Sequence, residues 1–350
     1  MMDDEVVGRR RWLTREQFLD YVGAVNLIPG PNSTELAIHI GRARAGWPGL
    51  LVAGTSFILP AFAIVLAIAW AYTKYGSLPD AAAILYGVKP VMVAVVAQAL
   101  WGLARSAVKS PWLAAIAVAA TVAAASGVHE LTVLAVAGLV AGLASAGIRP
   151  RTTVFSALAV SASTGVTASA AVAIPAGTAG LLPLFLVFVK TGAVLFGSGY
   201  VLLALLRADL VERLGWLTEG QLIDAIAVGQ VTPGPVFTTA TFVGYVLAGP
   251  WGAGVATVGI FLPAFVFVAL SGPLVPRLRR SPLTSAVLDG VNVASLAMMA
   301  AVTFQLSATA LTSRLPIVLA VVTAVILLGY RVNPTWLILA GGLAGWLFRM

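Results

Sequence analysis

Apolar runs long enough to cross a bilayer recur from one end of this chain to the other, and they leave few folds open. Residues 50–72, LLVAGTSFILPAFAIVLAIAWAY, and residues 181–206, LLPLFLVFVKTGAVLFGSGYVLLALL, are two of them. Each exceeds the stretch of about 18 apolar residues that spans roughly 30 Å of hydrocarbon as a helix. Charged residues make up 10% of the chain and mean hydropathy is +0.99, where a soluble domain carries roughly 25% charged residues. The chain therefore reads as an integral, multi-pass protein of the cell membrane, with the lipid bilayer as its first partner and no soluble domain left over. Strand-like alternation in segments of about ten residues is absent, so helices are the way its backbone is satisfied in lipid.

The same composition excludes several chemistries. The net charge of +8 comes from small Lys and Arg clusters lying between apolar segments, which are topology signals and not a nucleic-acid patch. With no cysteine and only His39 and His129, disulfides, thiolate sites, cysteine nucleophiles and a multi-histidine metal centre are ruled out, and no cofactor is expected. The N-terminal MMDDEVVGRRRWL has no apolar core and no cleavage site, unlike a signal peptide.

Laid on itself, the chain repeats. Residues 4–34, DEVVGRRRWLTREQFLDYVGAVNLIPGPNST, align without a gap on residues 208–238, ADLVERLGWLTEGQLIDAIAVGQVTPGPVFT. WLT meets WLT, Gln17 meets Gln221, Asp20 meets Asp224, Asn26 meets Gln230, and Pro29-Gly30-Pro31 meets Pro233-Gly234-Pro235. After a one-residue slip FILPAF (57–62) meets IFLPAF (260–265). Two such halves in a membrane chain mark a transporter architecture. The expected division is a first half at 1–153, a connector at 154–180 that is small-residue-rich, and a second half at 181–350.

Each half holds the same local plan. Thr14 with Gln17, and Thr218 with Gln221, have capping-box spacing, so a helix is expected to start after each threonine. Only about 12 to 15 residues separate that start from Pro-Gly-Pro, roughly 18–23 Å of helix, which is too short to cross. The prolines remove amide donors and disfavour helix before them, and the glycine permits a turn. A second short helix is expected from Asn32, which with Glu35 has N-cap and N3 spacing. Arg9, Arg10, Arg11 and Arg15 precede the first break, and Arg42 and Arg44 follow it. Both flanks then face the cytoplasm, as in a re-entrant hairpin. In the second half the basic cluster sits after the next span, at Arg277, Arg279 and Arg280. That shift points to inverted halves, although Arg207 and Arg213 run against it. The fold class expected is all-α: a polytopic membrane protein of two homologous, inverted halves, each with a Pro-Gly-Pro-broken re-entrant helix pair.

A helix interrupted at membrane depth presents the amides of its second piece, and the dipole behind them, to an anion. Asn32, Ser33 and Thr34 add an amide and two hydroxyls at the first break; Thr238 and Thr239 add two hydroxyls at the second. Neutral donors of this kind suit a tetrahedral oxyanion, because they replace part of its hydration without trapping it. Against this stands the plainer reading that each Pro-Gly-Pro is a kink in a packed helix. Gly197-Ser198-Gly199-Tyr200 is a further candidate, or else a small-residue helix contact. Lys190 is a candidate counter-charge for the anion, or a snorkelling side chain, and Lys89 has the same two readings. Among the acids, Glu35 and Asp20 fit capping or pairing with Arg better than proton coupling, while Asp224 and Asp289 also lie near apolar segments. His39 fits packing better than a proton relay.

The motifs PGPNSTE, RARAGWPG, FILPAF, FGSGY and GQVTPGP, in this order, resemble those of the chromate ion transporter family over nearly the whole chain. The resemblance implies a two-half inner-membrane transporter, not an enzyme, that exports chromate and confers resistance to it, with sulfate as the look-alike dianion. It places the family's characteristic positions on Asn26, Pro29, Gly30, Pro31, Asn32, Ser33, Thr34 and Glu35, then on Gly41, Arg44, Gly46, Gly49 and Pro60. In the second half they fall on Phe196, Gly197, Gly199, Gln230, Thr232, Pro233, Gly234 and Pro235, then on Gly252, Pro263 and Ala264. Thr238 and Thr239 join the substrate-binding set from the residues themselves, and Arg42, Arg44 and Lys190 are its candidate charge partners. A homodimer is left open. The second half has an apolar span carrying FGSGY ahead of its WLT motif, and the first half has none. The expectation is a native chain that starts upstream of Met1. The rival functions are transport of another anion, and a truncated form unable to transport.

Overall fold

The computed structural model describes residue 2 and residues 4–25, 28–76, 78–126, 128–146, 180–196, 201–271, 281–330 and 332–349. Asn26, Gly197, Gly199, the connector at 154–179 and the basic loop at 272–280 lie outside the described residues, as does the Asp20 side chain. The described chain is helical. Following a short π-wound turn at Asp4–Arg9 come α1 (Arg15–Val25), α2 (Asn32–Tyr75), α3 (Pro79–Ala107), α4 (Pro111–Ala125) and α5 (Glu130–Ser145). The second half runs α6 (Leu181–Val194), α7 (Val201–Leu206), a π-wound turn (Arg207–Arg213) and α8 (Glu219–Val231). A 3₁₀ turn (Val236–Thr238) leads into α9 (Thr239–Ser271), followed by α10 (Pro282–Ala310), α11 (Arg314–Gly329) and α12 (Pro334–Arg349). Among the described residues four helices, α2, α3, α9 and α10, are long and apolar enough to cross a membrane. The chain is a multi-pass membrane protein of two homologous halves.

The predicted helix starts are where the capping chemistry puts them. Thr14 N–H donates to Gln17 Oε1 at 3.0 Å and Gln17 N–H to Thr14 Oγ1 at 3.2 Å. The same reciprocal pair joins Thr218 and Gln221. Helices α1 and α8 then run for 11 and 13 residues, about 17 and 20 Å of rise, and stop at their Pro-Gly-Pro. Gly30 takes φ +141° and Gly234 φ +132°, backbone that residues with a side chain avoid. At Gly30 the chain folds back: Tyr21 and His39, each nine residues away from it, stack with ring centroids 5.4 Å apart.

A second reversal separates the short helix after each Pro-Gly-Pro from the span that follows it, as the expected re-entrant hairpin requires. Within α2, Ala45 and Gly46 leave helical geometry, with Gly46 at φ +62°; within α9, Ala248 and Gly249 do the same, with Gly249 at φ +62°. Each break is a turn between antiparallel arms, because Gly41 lies against Gly49 and Gly244 against Gly252. In a straight helix residues eight apart are about 12 Å apart. The backbones come this close because neither residue of each pair has a side chain.

The halves then exchange partners. Helices α4 and α5 of the first half pack on α10 of the second, and α11 and α12 of the second pack on α3 of the first. At the crossing of α3 and α12, Gly87 lies against Gly341 and Gly345; at that of α10 and α5, Gly290 lies against Ala137 and Ala141. Gly87 and Gly290 are repeat mates, offset by 203 residues. Pseudo-symmetry thus reaches the level of single backbone contacts. It is broken at one flank, where α6 packs along α9 while α2 carries exposed Leu51, Val52 and Leu59.

Candidate functional site

The site begins with what the first Pro-Gly-Pro does to the chain after it. Pro31 occupies the N-cap with φ −79° and ψ 96° and no side-chain cap. Asn32, expected as the N-cap, is instead the first helical residue, because Pro31 before it takes the extended ψ of a cap. Asn32 lines a cavity of about 580 Å³ together with Phe196, Ser106, Asn292 and Ser295. Lys109 and Asp289 also line it, paired at 2.8 Å. Ser295 is 1% exposed and its Oγ has no hydrogen-bond partner among the described residues. A buried hydroxyl without a partner costs free energy unless something in the cavity uses it.

Each Pro-Gly-Pro turn is also seated on the opposite half. A Cβ added to Gly30 would lie 3.6 Å from Ala264 Cβ, and one added to Gly234 would overlap Ala61. Ala61 and Ala264 are the alanines of the two Leu-Pro-Ala-Phe motifs, so both recurrent motifs serve one cross-half joint. Gly30 N–H donates to Leu195 O at 2.8 Å, which commits that amide to the fold.

The expected donor set divides between the halves. Ser33 is exposed, while Thr34 and Glu35 are fully buried, with the Thr34 hydroxyl and both Glu35 carboxylate oxygens lacking partners among the described residues. Glu35 is therefore neither the capping nor the Arg-paired acid that its spacing suggested. In the second half the hydroxyls are already spent. Thr232 donates to Val228 O at 2.7 Å, Thr238 to Pro235 O at 2.9 Å and Thr239 to Val236 O at 2.8 Å. Gln230 keeps a buried Nε2 without a partner among the described residues. Val236 and Phe237 stand where the first half has Asn32 and Ser33, and Met92, Ile223, Thr303 and Leu306 line only a small cavity of about 20 Å³.

The candidate charge partners are engaged elsewhere. Arg42 donates to Val268 O and Ala269 O at 2.5 and 2.6 Å and lies over the Trp47 ring. The Arg44 guanidinium lies over Trp12. Lys190 is bound by both oxygens of Asp209, at 2.8 and 2.9 Å, and Asp209 also pairs with Arg213. Arg42 and Lys190, both partly buried, are held by acceptors of the fold, while Arg44 is exposed. Asn292, Ser295, Ser106 and Lys109 were not singled out as site residues, because no local motif surrounds them. One signal was available: the repeat pairs Asn292 in GVNV with Lys89 in GVKP, a polar residue at the same place in two apolar helices.

The sequence profile of a family described as "Chromate transporter" matches residues 1–143 and 182–346. A chromate transport protein of Pseudomonas aeruginosa is 32% identical over 360 residues, covering 99% of this chain and 86% of the relative. One from Cupriavidus metallidurans is 30% identical, covering 97% and 85%, and a probable chromate transport protein of Synechococcus elongatus is 30% identical, covering 85% and 76%. No solved structure matches the chain.

Proposed function

Because the chain belongs to the chromate transporter family, we propose that it carries chromate, with sulfate as the competing dianion, and that it exports it and so confers resistance. The observation that carries this reading is the polar cavity at the start of α2. There the N-terminus of a helical arm, the Asn32 and Asn292 amides and the unpartnered Ser295 hydroxyl converge in about 580 Å³. Helix starts attract anions through their first amides and dipole, and the neutral amides and hydroxyl add donors that hold a dianion loosely enough to release it. The Lys109–Asp289 pair in the lining supplies a cation without leaving net charge in the cavity.

In this reading the folded-back pairs α1–α2 and α8–α9 are re-entrant, the halves are inverted, and access alternates as the halves rock about the joints Gly30–Ala264 and Gly234–Ala61. Outward movement of a dianion across an inside-negative potential of about 100 mV is favoured by about 4.6 kcal/mol, so the potential alone suffices to drive export. The test is flux of labelled chromate from liposomes under an imposed potassium diffusion potential. Potential-dependent efflux, reduced at least tenfold in affinity by Asn292→Leu, is expected. No flux of chromate or sulfate in either direction overturns the proposal.

A further inference from the structure

Glu35 is a buried group that the anion cavity does not explain. It is 0% exposed, and neither carboxylate oxygen has a hydrogen-bond partner among the described residues. Among the described residues no cation pairs with it. On its own helical arm stand Thr34, whose hydroxyl is also without a partner, His39, whose Nε2 is too, and Arg42, which is held by Val268 O and Ala269 O. From α1 comes Tyr21, stacked on His39. From α9 come the apolar side chains Ala264, Phe265 and Val268, which cluster with Ile28 and Ile38. The carboxyl fills the hollow of the Pro-Gly-Pro turn, since a Cβ on Gly30 would overlap Glu35 Oε1. A carboxylate ion buried in such a place has no hydrogen-bond donor among the described residues to compensate its charge, whereas the protonated acid carries no charge to compensate.

Position links this group to the anion. Glu35 lies three residues, less than one helical turn, after Asn32 at the cavity. A charged Glu35 would repel a dianion there, and a proton on Glu35 removes the repulsion. Binding of proton and anion therefore reinforce each other, each raising the affinity for the other by the same factor. We propose that Glu35, with Thr34 and His39 beside it, is a proton-binding site that couples passage of the anion to a proton moving in the same direction. This rests on the anion reading of the cavity. At the matching position of the second half Thr239 stands in place of Glu35 and gives its hydroxyl to Val236 O, so the pseudo-symmetry of the two turns is broken at this point.

The experiment uses the full chain in liposomes containing a pH-sensitive dye, at alkaline pH where chromate is a dianion on both sides, with the potential clamped at zero by valinomycin and potassium. Chromate flux is expected to carry protons with it one for one, and an opposing pH gradient is expected to slow it several-fold. In Glu35→Gln, whatever anion flux remains is expected to carry no proton and to ignore the gradient. Chromate flux without proton movement in the unmutated protein overturns the inference and leaves the transport reading standing, as does a Glu35→Gln variant that still moves protons with the anion. Absence of any anion flux in the unmutated protein overturns the transport reading and this inference together. Anion flux without protons in the unmutated protein overturns the inference even if Glu35→Gln fails to insert.

Discussion

Replacing Lys89 by methionine should loosen the joint between the halves more than any other single charge removal. Lys89 on α3 and Tyr72 at the end of α2 belong to the first half; Asp224 on α8 belongs to the second. Asp224 is 2% exposed, and its Oδ2 accepts from Tyr72 Oη at 3.0 Å and lies 3.7 Å from Lys89 Nζ. Two unit charges at that distance attract by about 4.5 kcal/mol at an effective dielectric of about 20. The Lys89 side chain is 29% exposed, so screening brings the expected coupling to about 2 kcal/mol. Lys89→Met leaves Asp224 buried without its cation and should cost about 3 kcal/mol. Asp224→Asn leaves a lysine able to reach water along its own stem, and should cost about 2 kcal/mol. The assay is a double-mutant cycle on unfolding in mixed micelles titrated with sodium dodecyl sulfate, followed by tryptophan fluorescence. The paired variant should be more stable than the sum of the single losses by about 2 kcal/mol, and a coupling under about 0.5 kcal/mol would refute an energetic link between the halves at this point.

Ser295→Ala should weaken chromate binding by about tenfold, the worth of one hydrogen bond to a charged group, with little change in stability because the hydroxyl has no protein partner; equilibrium binding and a thermal melt separate the two effects. Gly30→Ala, at φ +141° and against Glu35 Oε1, should cost about 3 kcal/mol from backbone strain and overpacking together, seen as a lowered melting temperature. Gly87→Ala should cost about 1–3 kcal/mol because its Cβ would enter the α12 backbone. Gly102→Ala, on the same helix with nothing within 4 Å, should be neutral or slightly stabilising. Equal effects of these two in the same melt would argue against the close crossing of α3 and α12.

Much of the architecture follows from relations that are local or repeated. The helix starts after Thr14 and Thr218 are set by a capping pair three residues apart, and the stops by proline and glycine stereochemistry, so each could be read from a handful of adjacent residues. The apolar segments from 83 to 147 and from 284 to 348 became α3–α5 and α10–α12 because length and apolarity suffice to define a membrane helix. The break after each hairpin was legible from the basic residues and the span that follows, but its form as a tight reversal at Ala45-Gly46 and Ala248-Gly249 was not. AGW and AGP contain one turn-forming glycine each, and what makes them reversals is the fit of Gly41 on Gly49 and of Gly244 on Gly252.

The amino-acid sequence by itself determined a helical membrane protein, its duplication, its family and the two places where helices stop short, because apolarity, period and backbone stereochemistry are properties of residues and their neighbours. Only the tertiary structure decided what faces what. It gave Thr238, Thr239, Arg42 and Lys190 to acceptors within the fold, and it brought Asn292 and Ser295 from α10 to Asn32 across more than 250 residues of chain. It also left Glu35 buried without a partner. Two halves of similar sequence thus differ at their Pro-Gly-Pro turns, since donors are used within the fold or turned toward a cavity by packing between helices distant in the chain, which no local pattern records.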